Sequence, residues 1–183
     1  MRIVAGTFRG RRLAAIGKGD TQAHLRPTSD RVRESLFNIL GNMGVVQNVH
    51  VLDLFAGTGA LGLEALSRGA TFATFVEKGR VGLRLIRENI ATLGCAESCN
   101  VLSVDAARLP KAHDAAGLVF LDPPYGQGAG DKALSAARQA AWLAPGAVVV
   151  WEENAPQSAP SGFAVLDTRE FGGTVVTFLK YTL

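Results

Sequence analysis

The stretch that decides the fold is Val51-Leu52-Asp53-Leu54-Phe55-Ala56-Gly57-Thr58-Gly59-Ala60-Leu61-Gly62. Its first residues predict a short buried strand, and its last residues open a helical pattern. Between them lies Gly-x-Gly-x-x-Gly, and Glu77 follows at the predicted end of the next strand, 20 residues after Gly57. This arrangement indicates a Rossmann-like unit that binds a cofactor whose ribose hydroxyls bond to the carboxylate.

On both sides of this stretch, short apolar segments alternate with helical patterns. Strands are predicted at 49–55, 72–76, 100–104, 118–121 and 147–151. Helices are predicted from Thr28 or Ser29 to about 40, at about 61–66, at 81–93 and around 132–143. A closing hairpin is predicted at 163–169 and 174–181. The strands are apolar nearly throughout, as expected when helices cover both faces of a parallel sheet. The predicted fold class is therefore α/β, a doubly wound, mostly parallel sheet with an antiparallel edge hairpin.

The composition is that of one globular domain. The 183 residues are 48% apolar and 19% charged, and no apolar run is long enough to cross a membrane. The first residues lack the apolar stretch of a secretory signal, and Cys95 and Cys99 stand without a second pair that could complete a zinc site. We therefore expect a cytoplasmic protein with reduced thiols, no metal and no membrane partner.

Charge divides the chain unevenly. Through residue 33 there are eight basic residues against Asp20 and Asp30, a net charge of +6, whereas the remaining 150 residues sum to −3. We expect residues 1–44 to form a basic N-terminal extension and helix that face the substrate, and residues 45–183 to form the α/β domain. A basic arm on a mildly acidic body suggests a polyanionic partner, although a solvated basic surface explains the charge equally well.

Asp53 distinguishes between two cofactors for the glycine loop. In a dinucleotide site the loop receives a pyrophosphate, which a carboxylate four residues upstream would repel. S-adenosylmethionine has no phosphate and carries an ammonium and a sulfonium, so Asp53 suits it. Loop bracing or helix capping is the alternative role for Asp53, but the glycines and Glu77 favour the cofactor. Asp105, after the third strand, is a candidate partner for the adenine amino group.

A second loop, Asp122-Pro123-Pro124-Tyr125, directly follows the predicted strand 118–121. The prolines remove two backbone donors, so the loop offers the Asp122 carboxylate and the Pro123 carbonyl to an NH₂ group, with Tyr125 as a stacking surface. An exocyclic amine is a poor nucleophile because its lone pair is delocalised, and two accepted hydrogen bonds orient it towards a sulfonium methyl. The alternative is a rigid turn with Tyr125 in the core. The position beside the glycine loop favours methyl transfer to a base.

The two loops together resemble the class I amino-methyltransferases that act on adenine, cytosine or guanine amino groups. The segments Arg2-Ile3-Val4-Ala5-Gly6, Arg9-Gly10-Arg11 and Leu25-Arg26-Pro27-Thr28-Ser29-Asp30-Arg31-Val32-Arg33-Glu34-Ser35-Leu36-Phe37 resemble the RsmD family more specifically. These are bacterial 16S ribosomal RNA guanine-N2 methyltransferases of the small subunit. The resemblance extends over nearly the whole chain and includes Gly62-Leu63-Glu64-Ala65-Leu66-Ser67-Arg68-Gly69.

The resemblance implies a class I S-adenosylmethionine-dependent fold and a role for each site residue. The cofactor would be held by Asp53, Phe55, Gly57, Thr58, Gly59, Glu77, Lys78, Asp105 and Ala106. The target guanine would meet Asp122, Pro123, Pro124 and Tyr125, and ribosomal RNA, within the small subunit or an assembly intermediate, would meet Arg9, Arg11, Arg26, Thr28, Arg31 and Arg33. A local ion pair between Asp30 and Arg33 is the competing interpretation for one of the helix arginines.

Other functions share some of these features. A DNA adenine-N6 or cytosine-N4 methyltransferase has the same two loops but usually an additional target-recognition domain, for which 183 residues leave little room. A protein glutamine methyltransferase would more often have Asn in place of Asp122. A nicotinamide-dependent reductase would not explain Asp53, and a non-catalytic RNA-binding protein would use the arm alone.

Overall fold

The computed structural model describes residues 1–15 and 29–183. Its elements are, in chain order, α1 (Asp30–Asn42), β1 (His50–Leu54), α2 (Ala60–Ser67), β2 (Phe72–Val76), α3 (Arg80–Leu93), a 3-10 turn (Ala96–Ser98), β3 (Cys99–Leu102), β4 (Ala116–Leu121), α4 (Ala129–Gln139), β5 (Leu143–Glu153), β6 (Phe163–Phe171) and β7 (Thr174–Tyr181). The longest of the described helices, α3, has 14 residues, fewer than a membrane crossing requires.

The strands form one seven-stranded sheet in the order β3-β2-β1-β4-β5-β7-β6. The first five are parallel, while β7 runs antiparallel between β5 and β6. The doubly wound α/β fold and its antiparallel edge hairpin are therefore confirmed. The hairpin turns at Gly172-Gly173, where both residues have positive φ (56° and 92°), and glycine adopts that conformation without strain.

The largest error in the predicted strands concerns β5. It begins at Leu143 and ends at Glu153, whereas the sequence predicted 147–151. Pro145 and Gly146 are residue types that usually end strands, but the ladder with β4 shifts its register between Ala116 and Leu118 and so accommodates them. Within the bulge the regular ladder is interrupted, so it does not require the N–H that Pro145 lacks, and Gly146 can adopt its positive φ.

Helices cover both faces of the sheet, and each face has its own apolar core. The larger core joins buried side chains of α1, α2 and α3, such as Phe37, to Phe75 and Phe120 on the strands. The smaller core lies under α4 and includes Trp142 and Trp151. A fully buried side chain of this size contributes about 1.5–3 kcal/mol through burial, so these two layers hold the strand ends in fixed positions.

The N-terminal segment forms a small hairpin that packs on the larger core. Arg2 and Arg12 form an antiparallel bridge, and the side chains of Ile3 and Leu13 are buried. Residues 1–15 therefore form a hairpin anchored by its own apolar side chains. Residues 16–28 lie outside the described residues, and with them the Arg26 and Thr28 assigned to substrate binding.

Polar contacts anchor this hairpin to α2 and α3. The backbone N–H groups of Val4 and Ala5 donate to the carboxylate of Glu64, at 2.8 and 3.0 Å. The N–H of Ala14 donates to Oδ1 of Asn89 at 2.6 Å. Glu64 and Asn89 are both fully buried, so the hairpin supplies backbone donors that these side chains need.

Arg33 joins the same anchor from α1, contrary to the expectation that it faces the substrate. Ser29 caps the helix by accepting from the N–H of Val32 at 3.2 Å, and the following turn directs Arg33 inward. Its guanidinium is fully buried, donates to the carbonyl of Arg2 and lies 2.8 Å from Asp30 and 3.5 Å from Glu64. The local ion pair with Asp30 therefore exists, and Arg33 connects the arm to the domain.

Candidate active site

The glycine loop connects β1 to α2 at the carboxyl end of the sheet. Phe55, Gly57 and Gly59 all have positive φ, which is strained for phenylalanine. Gly62 has no room for a side chain, because a Cβ atom there would lie 2.4 Å from the Phe75 ring and 3.1 Å from the Asp53 carboxylate. The pattern Gly-x-Gly-x-x-Gly thus reflects two backbone turns and one close approach between helix and strand.

Asp53 lies beneath this loop and is almost completely buried. Its Oδ2 accepts from the N–H of Gly62 at 3.0 Å, so the loop-bracing contact considered as the alternative is present. Burial first, and the charge of Glu77 in addition, raise the pKa of Asp53 to about 8 despite that hydrogen bond. A cation placed beside Asp53 would favour its charged form, so the position is suited to a positively charged ligand.

Glu77 ties the end of β2 to the glycine loop. Its two carboxylate oxygens accept from the N–H groups of Gly57, at 3.0 Å, and Gly79, at 2.6 Å. A carboxylate oxygen has more than one acceptor position, so Glu77 can hold the loop and still accept from ribose hydroxyls.

Lys78 and Asp105 bridge the neighbouring ends of β2 and β3. Lys78 Nζ lies 2.8 Å from Asp105 Oδ2, and the N–H of Ala107 donates to Asp105 Oδ1. The hydrogen bond from Lys78 is the main reason that the pKa of Asp105 lies below its usual value. Ala106 is buried beside this pair, so the three residues form one margin of the site.

The second loop follows β4 directly beside the glycine loop. Leu54 pairs with Leu121 in the parallel ladder, so Asp122 continues β4 where Phe55 continues β1. The pKa of Asp122 is raised well above its usual value, first by burial and then by the charges of Glu152, Asp53 and Glu153. The structure therefore brings together the two loops that the sequence predicted to meet.

Two carboxylates at the end of β5, Glu152 and Glu153, were not identified from the sequence. Glu152 Oε1 accepts from the hydroxyl of Tyr125 at 3.3 Å, and Glu153 Oε1 accepts from the N–H of Gly126 at 3.2 Å. Burial raises the pKa of Tyr125. Consecutive acidic residues after an apolar strand could have signalled this position. The sequence prediction ended that strand at Trp151, so both residues were left out.

The predicted RNA-contacting arginines lie in different places. Arg31 is exposed near the N-terminus of α1. Arg9 comes directly after Phe8, whose N–H donates to Oγ of Ser67 at the C-terminal end of α2. Arg11 donates to the carbonyl of Thr92 near the C-terminal end of α3. Since α2 alone is about 12 Å long, Arg9 lies a helix length from the glycine loop rather than at the entrance to the site.

The charge of the site fits S-adenosylmethionine. Carboxyl groups come from the ends of four adjacent strands: Asp53, Glu77, Asp122, Glu152 and Glu153. Within residues 1–15 and 29–183, the one hydrogen bond to the Asp53 carboxyl comes from a backbone N–H, so no side-chain cation bonds to it. A ligand with an ammonium and a sulfonium suits these carboxyls, and a pyrophosphate does not. The described residues contain no cluster with the composition of a metal site.

Comparisons with known proteins agree with this geometry. Residues 1–180 match the family model described as conserved hypothetical protein 95. The chain is 36% identical over 187 residues to a Haemophilus influenzae protein named ribosomal RNA small subunit methyltransferase D, covering 99% of this chain and 93% of that one. The Escherichia coli protein of the same name is 37% identical over 161 residues, covering 88% and 78%.

Solved structures show the same similarity. A putative methyltransferase from Escherichia coli superimposes with a TM-score of 0.83 at 33% identity, covering 100% of this chain and 98% of that one. A putative methylase from Haemophilus influenzae gives a TM-score of 0.78 at 31% identity, with the same coverage.

Proposed function

This chain belongs to the RsmD family of ribosomal RNA small subunit methyltransferases, and from that membership we propose its reaction. It transfers a methyl group from S-adenosylmethionine to the exocyclic N2 amino group of one guanine in 16S ribosomal RNA. The observation that supports this most strongly is the position of the Asp122–Tyr125 loop beside the glycine loop, at the ends of the paired strands β4 and β1.

The cofactor would be held by the residues around the glycine loop. We assign this role to Asp53, Phe55, Gly57, Thr58, Gly59, Glu77, Lys78, Asp105 and Ala106. Glu77 offers acceptors for ribose hydroxyls, and Asp105 offers one for the adenine amino group. Bound there, S-adenosylmethionine supplies an electrophilic methyl group on its sulfonium. The raised pKa of Asp53 supports the assignment, because a neutral buried carboxyl becomes charged most readily beside a cation.

The Asp122–Tyr125 loop would hold the target base. The Asp122 carboxyl and the Pro123 carbonyl accept from the amine and orient its nitrogen towards the methyl group. Pro123 is buried, and neither it nor Pro124 has an N–H, so this part of the loop offers the amine carbonyl acceptors and no backbone donor. Tyr125 is half-buried and offers its ring to a base that has been splayed out of the RNA.

Residues 1–44 would guide the RNA, with roles that differ among the arginines. Arg31 is exposed on α1 and is the described arginine of this helix that can meet the substrate. Arg9 and Arg11 lie away from the glycine loop, so we assign them to phosphates distant from the target base. Phosphate contacts of this kind make binding weaken steeply with salt. The same surface would serve for an assembled small subunit or an assembly intermediate.

The test is transfer of a labelled methyl group to unmodified small ribosomal subunits, naked ribosomal RNA and duplex DNA. We expect N2-methylguanosine from a ribosomal substrate and none from DNA. Asp122→Ala should abolish transfer but keep the folded state and RNA binding, and Asp131→Ala on the exposed face of α4 is the matched control. Label in DNA, or full activity of Asp122→Ala, would refute the proposal.

A further inference from the structure

Adenine, cytosine and guanine all carry an exocyclic amine, so the Asp122–Tyr125 loop alone does not select among them. They differ at the ring nitrogen next to the amine. In guanine this nitrogen is a donor, N1–H, whereas N1 of adenine and N3 of cytosine are acceptors. A side chain that faces the ring nitrogen therefore decides which base is bound productively.

The strand register places Glu152 beside Asp122. In the parallel ladder of β4 and β5, Leu121 pairs with Trp151, and each of the two acidic residues comes next on its strand. Among the charged neighbours of Asp122, Glu152 has the largest effect on its pKa, which is the effect of a nearby carboxylate. The two carboxyls are thus neighbours at the end of the sheet where the amine must be held.

A contact with Tyr125 fixes the direction of Glu152. The Tyr125 hydroxyl lies 3.3 Å from Glu152 Oε1 and 3.4 Å from Thr174 Oγ1 of β7. Glu152 therefore lies at the hydroxyl edge of the ring on which the target base would stack. As a carboxylate, Glu152 accepts hydrogen bonds and does not donate them.

From this juxtaposition of Glu152, Asp122 and Tyr125, we propose that Glu152 is the residue that selects guanine. Its carboxylate accepts the N1–H of the stacked base while Asp122 accepts from the N2 amine, an inference that rests on the proposed function. Adenine or cytosine in the same position would turn a ring-nitrogen lone pair towards the carboxylate and be repelled. Two adjacent acceptors match the two adjacent donors of guanine.

The test replaces the target guanosine by 2-aminopurine, which keeps the N2 amine but has an acceptor at N1. The target is first mapped with the wild-type protein, and the RNA is then rebuilt by ligation. We expect the wild-type protein to prefer guanine by about tenfold to one-hundredfold in kcat/KM. Glu152→Gln, whose amide can donate to N1, should lose most of that preference. Glu153→Gln, which changes the neighbouring carboxylate, should keep it.

Three results overturn the inference. Equal losses of kcat/KM on both RNAs in Glu152→Gln would mean that the residue only positions Tyr125. An equal change of base preference in Glu153→Gln would mean that the general negative charge is responsible. Wild-type protein that transfers no methyl group to guanine in any ribosomal substrate would refute the proposed function itself. S-adenosylmethionine affinity, measured by calorimetry, establishes that each variant is folded.

Discussion

Replacing Arg33 by methionine should destabilise the protein without directly changing RNA recognition. Removing one partner of a buried ion pair costs about 3–5 kcal/mol when the other charge is left alone. When Arg33 is replaced, the Glu64 carboxylate retains its ion pair with Arg68, at 2.8 Å, and its hydrogen bonds from two backbone N–H groups. Within residues 1–15 and 29–183, Nε and Nη1 of Arg33 have no hydrogen-bond acceptor, so its burial is only partly compensated. Both facts reduce the loss of unfolding free energy in Arg33→Met, which we expect to be about 2–3 kcal/mol.

For a chain of this size, such a loss lowers Tm by about 4–12 °C, which circular dichroism resolves easily. Arg31→Met is the matched control, since Arg31 lies two residues earlier on the same helix and is exposed. That variant should keep the wild-type Tm and show a shallower dependence of RNA affinity on salt. An Arg33→Met variant with unchanged Tm and weakened RNA binding would show that Arg33 faces the substrate after all.

Three further predictions concern the site. Because the pKa of ligand-free Asp53 is raised to about 8, its contribution to folding stability is present at low pH and is lost as pH rises from about 4 to about 8. The charged form binds a cation, so calorimetry should show S-adenosylmethionine affinity rising between about pH 6.5 and pH 8.5, and Asp53→Asn should remove that dependence. Gly62→Ala should lower Tm and cofactor affinity together, because its Cβ would overlap the ring of Phe75; unchanged thermal unfolding would contradict this. Tyr125→Phe keeps the ring but loses the bond to Glu152, so kcat should fall by about tenfold or less while cofactor affinity stays constant. A complete loss of transfer in that variant would give the hydroxyl a larger role.

The fold was predictable because its signals are local. Most of the parallel strands are short apolar runs, each helix has its own apolar period, and Ser29 caps α1. The position of β7 between β5 and β6 was not predictable, since strand order depends on non-local pairing that no local pattern encodes. The start of β5 was missed because Pro145 and Gly146 break strands unless a neighbouring strand accommodates a bulge.

The position of the candidate site was predictable where motif and topology agree, since Asp53 and Asp122 lie at the carboxyl ends of adjacent strands. The environment of Arg33 could also have been inferred, because it lies three, four and seven residues before Leu36, Phe37 and Leu40 on the buried stripe of α1. Charge alone groups Arg33 with Arg31, although side chains two positions apart on a helix point to nearly opposite sides.

The anchoring of the N-terminal hairpin affects the order in which this protein can mature during translation. Its bonds to Glu64, Ser67 and Asn89 join groups 59 to 75 positions apart. The hairpin leaves the ribosome before these partners, and the last of them follows several seconds later at about 5–20 residues per second. The hairpin therefore cannot complete these contacts until Asn89 of α3 has been synthesised, and its arginines stay unanchored during that interval.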